Sequence, residues 1–412
     1  MAVKDFSDPY TFAARSFDWR LHCGEEAIEN RLKEEVIRLG AKRAFAICSP
    51  SIKSKTRSME RIKDTLGPLW AGEFTGIEID STYKSVVAAT EAARAAGADL
   101  LISVGAGSVV VAVRVVDIFL CEQGDHFEIM TQYPEGKPAF SPRLNAPKLP
   151  IINVVTTPTG AMNRAGSGLA NPDLDQRMEY FDPKTRPASL IWDHEAIMST
   201  PLNVIRSTAT TLFSGAIMGA AETKMNPLVE ADRTHILRLA KRSYLKMIEE
   251  DSIGPRVDLF TAALLGNRAQ DDATQGIQER GGRTFAGNYA LSTAMHIRYA
   301  NVWQGEANTS LAATMVRRSP VPDEEPARRI AEELEVYKPG MTPRDMQMAI
   351  ADGLEAFYTR VGMPVRVRDL GIPREDFPTL AKETIKVFNA NAGMRDPEKQ
   401  YQDALEVLEQ AY

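Results

Sequence analysis

The chain has 412 residues, more than one hydrophobic core usually serves, so two domains are expected. Hydrophobic residues make up 44% and charged residues 25%, as in ordinary globular proteins, and the net charge of −6 argues against a nucleic-acid groove or a basic membrane-binding face. The widely spaced Cys23, Cys48 and Cys121, the absence of an apolar leader and the absence of a bilayer-length apolar stretch predict a cytoplasmic protein with free thiols.

The first half of the chain alternates helix-like and strand-like segments. Helical spacing of apolar residues is found at 25–39, 85–96 and 109–121, and short apolar runs typical of buried strands at 43–48, 100–104 and 150–155. Such alternation predicts a parallel sheet with helices on both faces. The polar, proline-containing residues 124–147 predict a long loop.

From about Pro187 onward strand patterns are nearly absent, and helical patterns follow one another. They cover residues 204–224, 230–250, 257–265, 286–301, 328–335, 343–361, 373–389 and 397–412. We therefore predict an α/β dinucleotide-binding domain over residues 1–186 and an all-helical domain over residues 187–412.

Two turns follow predicted strands and carry residues suited to a phosphate. The first is Gly105-Ala106-Gly107-Ser108, placed between a strand and a helix, where backbone N–H groups can approach a pyrophosphate. It lacks the third glycine of the GxGxxG fingerprint. The alternative interpretation, that this turn serves only packing, therefore remains. The second contains Thr156, Thr157 and Thr159. Two such turns predict a ligand outside the carboxyl ends of parallel strands.

Several of these segments resemble those of a known protein family. Ser49-Pro50, ADLLISVGAGS (98–108) and VVTTPTGAMN (154–163) resemble the iron-containing alcohol dehydrogenase superfamily, with its dehydroquinate-synthase-like fold. Within it the spacing is most similar to that of maleylacetate reductases. Residues 182–193, Asn226-Pro227 and residues 362–377 continue the match, which covers essentially the whole chain. The resemblance implies an N-terminal dinucleotide-binding domain and a helical C-terminal domain.

The resemblance also implies metal-ligand positions, and this chain has replaced them. Carried over without gaps, these positions and that of an associated glutamate fall on Thr211, Gly215, Met218, Ser292 and Glu306. Threonine, glycine and serine cannot hold a divalent transition ion, and one carboxylate does not make a site. No two of the five histidines have ligand spacing. We therefore expect no metal.

The same resemblance gives candidate roles to other residues. His296 and Glu306 are the candidate proton donors, with a structural histidine and a solvated glutamate as the alternatives. Arg114 and Arg177 stand where the family has lysines, and either can bind an anion or simply lie at the surface. We expect Arg114, Thr211 and Ser292 to contact substrate and Arg177 to contact cofactor. Asp193 and the adjacent His194 are interpreted as structural.

Cofactor choice is expected to depend on the turn at Ser49. An acidic side chain after the first strand would bind the ribose hydroxyls and repel a 2′-phosphate, and Ser49 provides none. Lys53, Lys55 and Arg57 follow closely, so NADP(H) is expected to be tolerated beside NAD(H). The alternative is that these bases belong only to a solvated helix start.

Three functions remain open at this point. The first is a metal-independent, NAD(P)H-dependent reductase of a small carbonyl or carboxylated substrate, similar to maleylacetate reductases. The second is a non-redox lyase, isomerase or cyclase descended from it that uses the same cleft between the domains, and the third is a catalytically silent subunit. The retained glycine and threonine turns favour the first two. We expect a small-molecule substrate, a homodimer, and neither a nucleic acid nor a membrane as partner.

Overall fold

The computed structural model describes residues 17–134, 139–174, 177–221, 225–273, 289–385 and 396–412. The chain divides into two compact units, Phe17–Val204 and Ile205–Tyr412. The boundary therefore lies later than the predicted one at residue 186. The reason is that a further strand and a short helix, within residues 189–198, still belong to the first unit.

The strands of the described residues all lie in the first unit. They are β1 (Arg20–Gly24), β2 (Ala44–Cys48), β3 (Trp70–Phe74), β4 (Leu100–Gly105), β5 (Ile151–Val155), β6 (Ser167–Leu169), β7 (Met178–Tyr180) and β8 (Ser189–Asp193). Six of them form one sheet in the order β1-β8-β5-β4-β2-β3, parallel throughout, and β6 and β7 form an antiparallel pair. The predicted strands β2, β4 and β5 are confirmed, whereas β1, β3 and β8 were not predicted from local pattern.

Helices of the first unit connect and cover these strands. A π-helical turn (Ile28–Leu32) leads into α1 (Lys33–Arg38), and the others are α2 (Pro50–Lys55), α3 (Ser58–Leu66), α4 (Tyr83–Ala95), α5 (Gly107–Cys121), α6 (His126–Ile129) and α7 (His194–Met198). Short 3-10 turns lie at Gly67–Leu69 and Pro183–Thr185.

Alternate residues of each central strand face two separate cores. In β2, Phe45 and Ile47 pack with α4 and α5 on one face, while Ala44 and Ala46 pack with α1 and α3 on the other. A strand that is buried on both faces needs a continuous apolar run, which is the pattern that RAFAIC shows. The prediction of a parallel sheet covered on both faces is confirmed.

The second unit is helical throughout its described residues. Its helices are α8 (Leu202–Ala220, which begins at the end of the first unit), α9 (Pro227–Glu249), α10 (Ile253–Ala273), α11 (Tyr289–Arg298), α12 (Gln304–Arg318), α13 (Glu324–Glu333), α14 (Pro343–Arg360), α15 (Phe377–Thr384) and α16 (Pro397–Ala411), with short 3-10 turns at Val367–Leu370 and Arg374–Asp376. The helix α12 was not predicted, because its buried face is made largely of small and polar residues. No helix in the described ranges is long and apolar enough to cross a membrane.

Candidate functional site

The connections of the sheet reverse direction between β2 and β4, two strands that pair with each other. From β2 the chain continues to β3 at one edge, whereas from β4 it continues to β5 in the opposite direction. Ligands of open parallel sheets bind where the direction of connection reverses in this way. The two turns singled out in the sequence, after β4 and after β5, and the turn at Ser49 after β2 all lie at this carboxyl edge.

The glycine loop makes the passage from β4 to α5. Gly105 has a φ of +148°, a conformation that a side chain rarely adopts, and Gly107 is the first residue of α5. The hydroxyl of buried Ser81 donates to the carbonyl oxygen of Ser108 at 2.6 Å and supports the first turn of the helix. Backbone N–H groups at such a helix start can bind phosphate oxygens.

The threonine turn packs directly against the glycine loop. The Thr156 N–H donates to the carbonyl oxygen of Gly105 at 3.1 Å. An added Cβ at Gly107 would lie 3.0 Å from Oγ1 of Thr159, so a side chain at this position would force Thr159 to shift. Thr157 is buried, and Thr159 is 9% exposed. The prediction that the two turns share one edge is confirmed, because the threonine turn contacts the glycine loop directly.

The turn at Ser49 begins α2, and the structure adds a carboxylate to it. Ser49 precedes α2, and its hydroxyl lies 3.0 Å from that of Ser51. Lys53 forms an ion pair with Glu73 of β3, with Nζ and Oε1 2.6 Å apart. Lys55 and Arg57 are exposed. The sequence interpretation missed Glu73, because β3 itself was not predicted and nothing in the local pattern connects it with α2.

The contacts of Arg114 in the structure differ from the substrate contact that was expected from the sequence. Its side chain lies within α5 and is 2% exposed. It donates to the carbonyl oxygen of Gly166 at 2.8 Å and to that of Ala161. Burial, together with the nearby Arg164 and Arg186, lowers the pKa of Arg114 to about 9. Arg114 therefore positions the loop after the threonine turn, because those carbonyl groups accept its hydrogen bonds.

Arg177 also contacts backbone rather than an open surface. One terminal guanidinium nitrogen donates to the carbonyl oxygens of Gly168 at 3.0 Å and Asp80 at 3.4 Å. The side chain thereby ties the β6–β7 pair to the segment that precedes α4. Both bonds serve the protein's own chain, and the expected cofactor contact stays a prediction.

The helical unit brings the remaining candidates onto three neighbouring helices. Thr211 lies on α8, Ser292 and His296 on α11, and Glu306 in the first turn of α12. The Gly305 N–H donates to Oγ of Ser207 on α8 at 3.1 Å, so α8 and α12 touch one turn before Thr211. Gln304 reaches Thr293 of α11 at 3.4 Å. Neither Gly305 nor Gln304 was singled out in the sequence.

The side chains at the carried-over metal-ligand positions already form hydrogen bonds within their own helices or at the helix start. The Thr211 hydroxyl donates to the Ser207 carbonyl at 3.3 Å, and the Ser292 hydroxyl donates to the Tyr289 carbonyl at 3.1 Å. The Glu306 carboxylate accepts the Trp303 N–H at 3.0 Å and caps α12. Gly215 and Met218 offer no donor that suits iron or zinc. Among the described residues no three histidine, cysteine, aspartate or glutamate side chains gather in a way that could hold a metal ion. These residues do not fit the family's metal.

His296 and Glu306 differ in how they are held. Nδ1 of His296 lies 3.2 Å from the carbonyl oxygen of Val302. A carbonyl only accepts, so this contact assigns the ring proton to Nδ1. Glu306 lies in the first turn of α12, where its carboxylate accepts the Trp303 N–H.

Asp193 lies in a structural setting at the junction of β8 and α7. Asp193 is fully buried and accepts bonds from Nη1 and Nη2 of Arg61 at 2.9 and 2.8 Å. It also caps α7 through the Ala196 N–H at 3.0 Å. The hydrogen bonds from Arg61 and from the backbone hold the pKa of Asp193 below its usual value, against the effect of burial.

Comparison with family models covers both units. Residues 19–194 match the model of iron-containing alcohol dehydrogenase, and residues 278–412 match the C-terminal model of the Fe-containing alcohol dehydrogenase family. The two matched ranges include the glycine and threonine turns and the helices α11 and α12.

Individual proteins are similar at low identity. Dehydrogenase FUM7 of Gibberella moniliformis is 26% identical over 205 residues, a match that spans 48% of this chain and 48% of that protein. Maleylacetate reductase of Rhizobium sp. strain MTP-10005 is 23% identical over 351 residues, 85% of this chain and 84% of the relative. The solved structure of NADH-dependent butanol dehydrogenase A from Thermotoga maritima superposes with a TM-score of 0.80 at 18% identity, covering 97% of this chain and 98% of that one, which establishes the fold.

Proposed function

Because the chain belongs to the iron-containing alcohol dehydrogenase family, we propose that it is an NAD(P)H-dependent reductase of a small carbonyl or carboxylated substrate that works without a metal. The family places it among oxidoreductases, and the relatives named above are dehydrogenases and a reductase. The finer assignment of substrate, cofactor and metal independence is the proposal.

The observation that carries the proposal is the contact between the glycine loop and the threonine turn. A side chain at Gly107 would crowd Oγ1 of Thr159, so glycine at this position lets the threonine turn lie close to the α5 N-terminus. Gly105, Ala106, Gly107 and Ser108 are the residues that would hold the pyrophosphate, with Thr156, Thr157 and Thr159 on the opposite wall. When bound, the reduced nicotinamide supplies a hydride to the substrate carbonyl.

His296 is the residue that we propose as proton donor. The carbonyl group of Val302 holds Nδ1 in its protonated form, so a proton passed to substrate would leave from Nε2 of the imidazolium. Glu306 is the weaker candidate of the two, because its carboxylate is engaged by the Trp303 N–H at the start of α12. The identity of the donor stays a prediction.

Metal independence is supported by the residue types at the carried-over ligand positions. Thr211 and Ser292 provide hydroxyls that donate to their own helices, and Gly215 provides no side chain. Charge that develops on the carbonyl oxygen must therefore be stabilised by hydrogen-bond donors rather than by a metal, and among these residues His296 is the candidate donor.

Titration with NADH and NADPH tests the proposal. The purified protein is expected to bind at least one of the two with micromolar or tighter affinity, measured by quenching of tryptophan fluorescence and by calorimetry. A panel of small aldehydes, ketones and oxo acids is then tested for oxidation of the bound cofactor. Absence of binding by both dinucleotides would contradict the proposal and favour a non-redox or silent descendant.

A further inference from the structure

An ion pair lies at the end of β3 beside the start of α2. Nζ of Lys53 and Oε1 of Glu73 are 2.6 Å apart, and the side chains are 43% and 27% exposed. The hydrogen bond to Glu73 raises the pKa of Lys53. Glu73 stands opposite Ala46 in the register of β2 and β3, so its carboxylate reaches α2 from the neighbouring strand.

The helix that carries Lys53, α2, borders the glycine loop. The Lys53 N–H donates to the carbonyl oxygen of Ser49 at 3.3 Å, which places Lys53 one helical turn after Ser49. The preceding residue, Ile52, lies beside the loop, since an added Cβ at Gly105 would be 3.6 Å from its Cγ1. The carboxyl edge of the sheet therefore runs from the threonine turn through the glycine loop to α2 and then to the ion pair.

The two charges lie close to Cys48 at the end of β2. Cys48 is the last residue of that strand and is fully buried. Burial raises the pKa of its thiol to about 12, with the Glu73 carboxylate adding to the effect and Lys53 opposing it. Both charges of the pair therefore act at the strand end that is followed by the Ser49 turn.

The chemistry of the pair bears on the two dinucleotides in opposite ways. A carboxylate accepts hydrogen bonds from a ribose diol and repels a 2′-phosphate, whereas an unpaired lysine ammonium attracts the phosphate. A lysine held by a glutamate presents no net charge. We infer that Glu73, by pairing with Lys53, is the residue that sets the preference between NAD(H) and NADP(H), and that it favours NAD(H).

This inference rests on the proposed function, and it replaces one step of the sequence interpretation. There, the absence of a carboxylate at Ser49 and the presence of three nearby bases favoured tolerance of NADP(H). The structure supplies the missing carboxylate from β3 and uses it to neutralise the base that lies nearest to Ser49 along α2. Lys55 and Arg57 lie further along the chain and are exposed.

The test measures dissociation constants of NADH and NADPH by calorimetry for the full chain and three variants. Glu73→Gln keeps the shape of the side chain and leaves Lys53 with its charge, so the ratio of the NADPH to the NADH dissociation constant is expected to fall by about tenfold or more. Adding Lys53→Gln to Glu73→Gln should restore most of the parent ratio. Glu34→Gln, which breaks an exposed ion pair with Arg31 in the same unit, is the matched charge control.

The outcomes separate the inference from the proposed function. A fall of the ratio in Glu73→Gln that is reversed in the double variant and absent in Glu34→Gln supports the inference. If both dinucleotides bind but Glu73→Gln changes the ratio by less than about twofold, or if Glu34→Gln changes it equally, the inference is wrong while the proposed function stands. If neither dinucleotide binds to the parent or to any variant, both are wrong. Circular dichroism of each variant establishes that it is folded.

Discussion

Gly107 and Asp117 lie on the same helix, α5. The role of each residue depends on its contacts with a few neighbouring atoms. Gly107 begins the helix, where an added methyl group would lie against Thr159. Asp117 lies on a buried part of the helix, fully shielded from solvent, where its Oδ1 accepts the Leu149 N–H at 2.9 Å. The first residue concerns binding, and the second concerns the pH dependence of stability.

Gly107→Val is expected to abolish dinucleotide binding. The larger side chain would press against Thr159 and displace the threonine turn from the α5 N-terminus, where the pyrophosphate is proposed to bind. Fluorescence titration with NADH and NADPH measures the effect, and Gly254→Val is the matched control, since that position has no atom within 4 Å of an added Cβ. If Gly107→Val binds as tightly as the parent, the loop is a packing turn only.

Asp117→Asn is expected to stabilise the protein more at pH 8 than at pH 5. Burial raises the pKa of Asp117 to about 7, whereas an unfolded aspartate titrates near pH 4. Between these values the folded chain keeps a proton that the unfolded chain has released, so stability falls as the pH rises through this window. An asparagine side chain does not titrate, so the variant does not lose this stability as the pH rises.

The gain of Asp117→Asn between pH 5 and pH 8 should be on the order of 2 kcal/mol in the free energy of unfolding. Urea denaturation at the two pH values measures it. Asp64→Asn, on the exposed side of α3, serves as the control and should show no comparable pH dependence. A gain that is equal at both pH values would show that Asp117 is ionised throughout this range.

At the scale of elements, the contact between α8 and α12 organises the candidate residues of the helical unit. Gly305 lies against the backbone of Ser207, and this approach sets the position of Thr211 relative to the first turn of α12. A helix–helix contact of this closeness needs a residue without a side chain. Since α12 was not predicted from the sequence, neither was the contact.

Gly305→Ala is expected to destabilise the helical unit by about 1–3 kcal/mol. An added Cβ would overlap the carbonyl oxygen of Ser207 and lie 2.7 Å from its Cα, both of them backbone atoms. The same substitution at Gly266, within α10, meets no atom within 4 Å and should stabilise by about 0.5–1 kcal/mol. Denaturation followed by circular dichroism compares them. Equal effects of the two substitutions would contradict the close contact.

At the scale of the whole molecule, the family's fold is retained while its metal-ligand positions carry other residues. The sheet, its carboxyl-edge turns and the helical unit belong to the iron-containing alcohol dehydrogenases. Thr211, Gly215 and Ser292 stand where the resemblance places metal ligands. The homodimer and the cytoplasmic location stay predictions.

The purified protein is expected to contain no stoichiometric iron or zinc, and a chelator should leave dinucleotide binding and activity unchanged. Elemental analysis by plasma mass spectrometry measures the metal content of protein expressed in a medium supplemented with iron and zinc. A tightly bound transition metal at one equivalent per chain, removed by chelator with loss of activity, would show that other residues have taken over its ligation.

Local pattern alone determined the central part of the fold. Apolar runs at β2, β4 and β5 and the helical spacing around them predicted a parallel sheet covered on both faces, since buried strands and covering helices each need a characteristic period. The glycine and threonine turns could be assigned to one edge, because the carboxyl ends of parallel strands meet there. The replaced ligand positions were also visible, through the resemblance, as residue types.

Contacts between residues distant in the chain were decided only by the tertiary structure. Edge strands β1 and β3 carry mixed polar and apolar residues, so their assignment depended on the neighbours with which they pair. Arg114 was expected at a binding surface, but it is buried inside the unit, where the carbonyl groups of residues 161 and 166 accept hydrogen bonds from its two terminal nitrogens. Glu73 could be connected with Lys53 only once β3 was placed beside β2, because an ion pair depends on distance in space and not on position in the sequence.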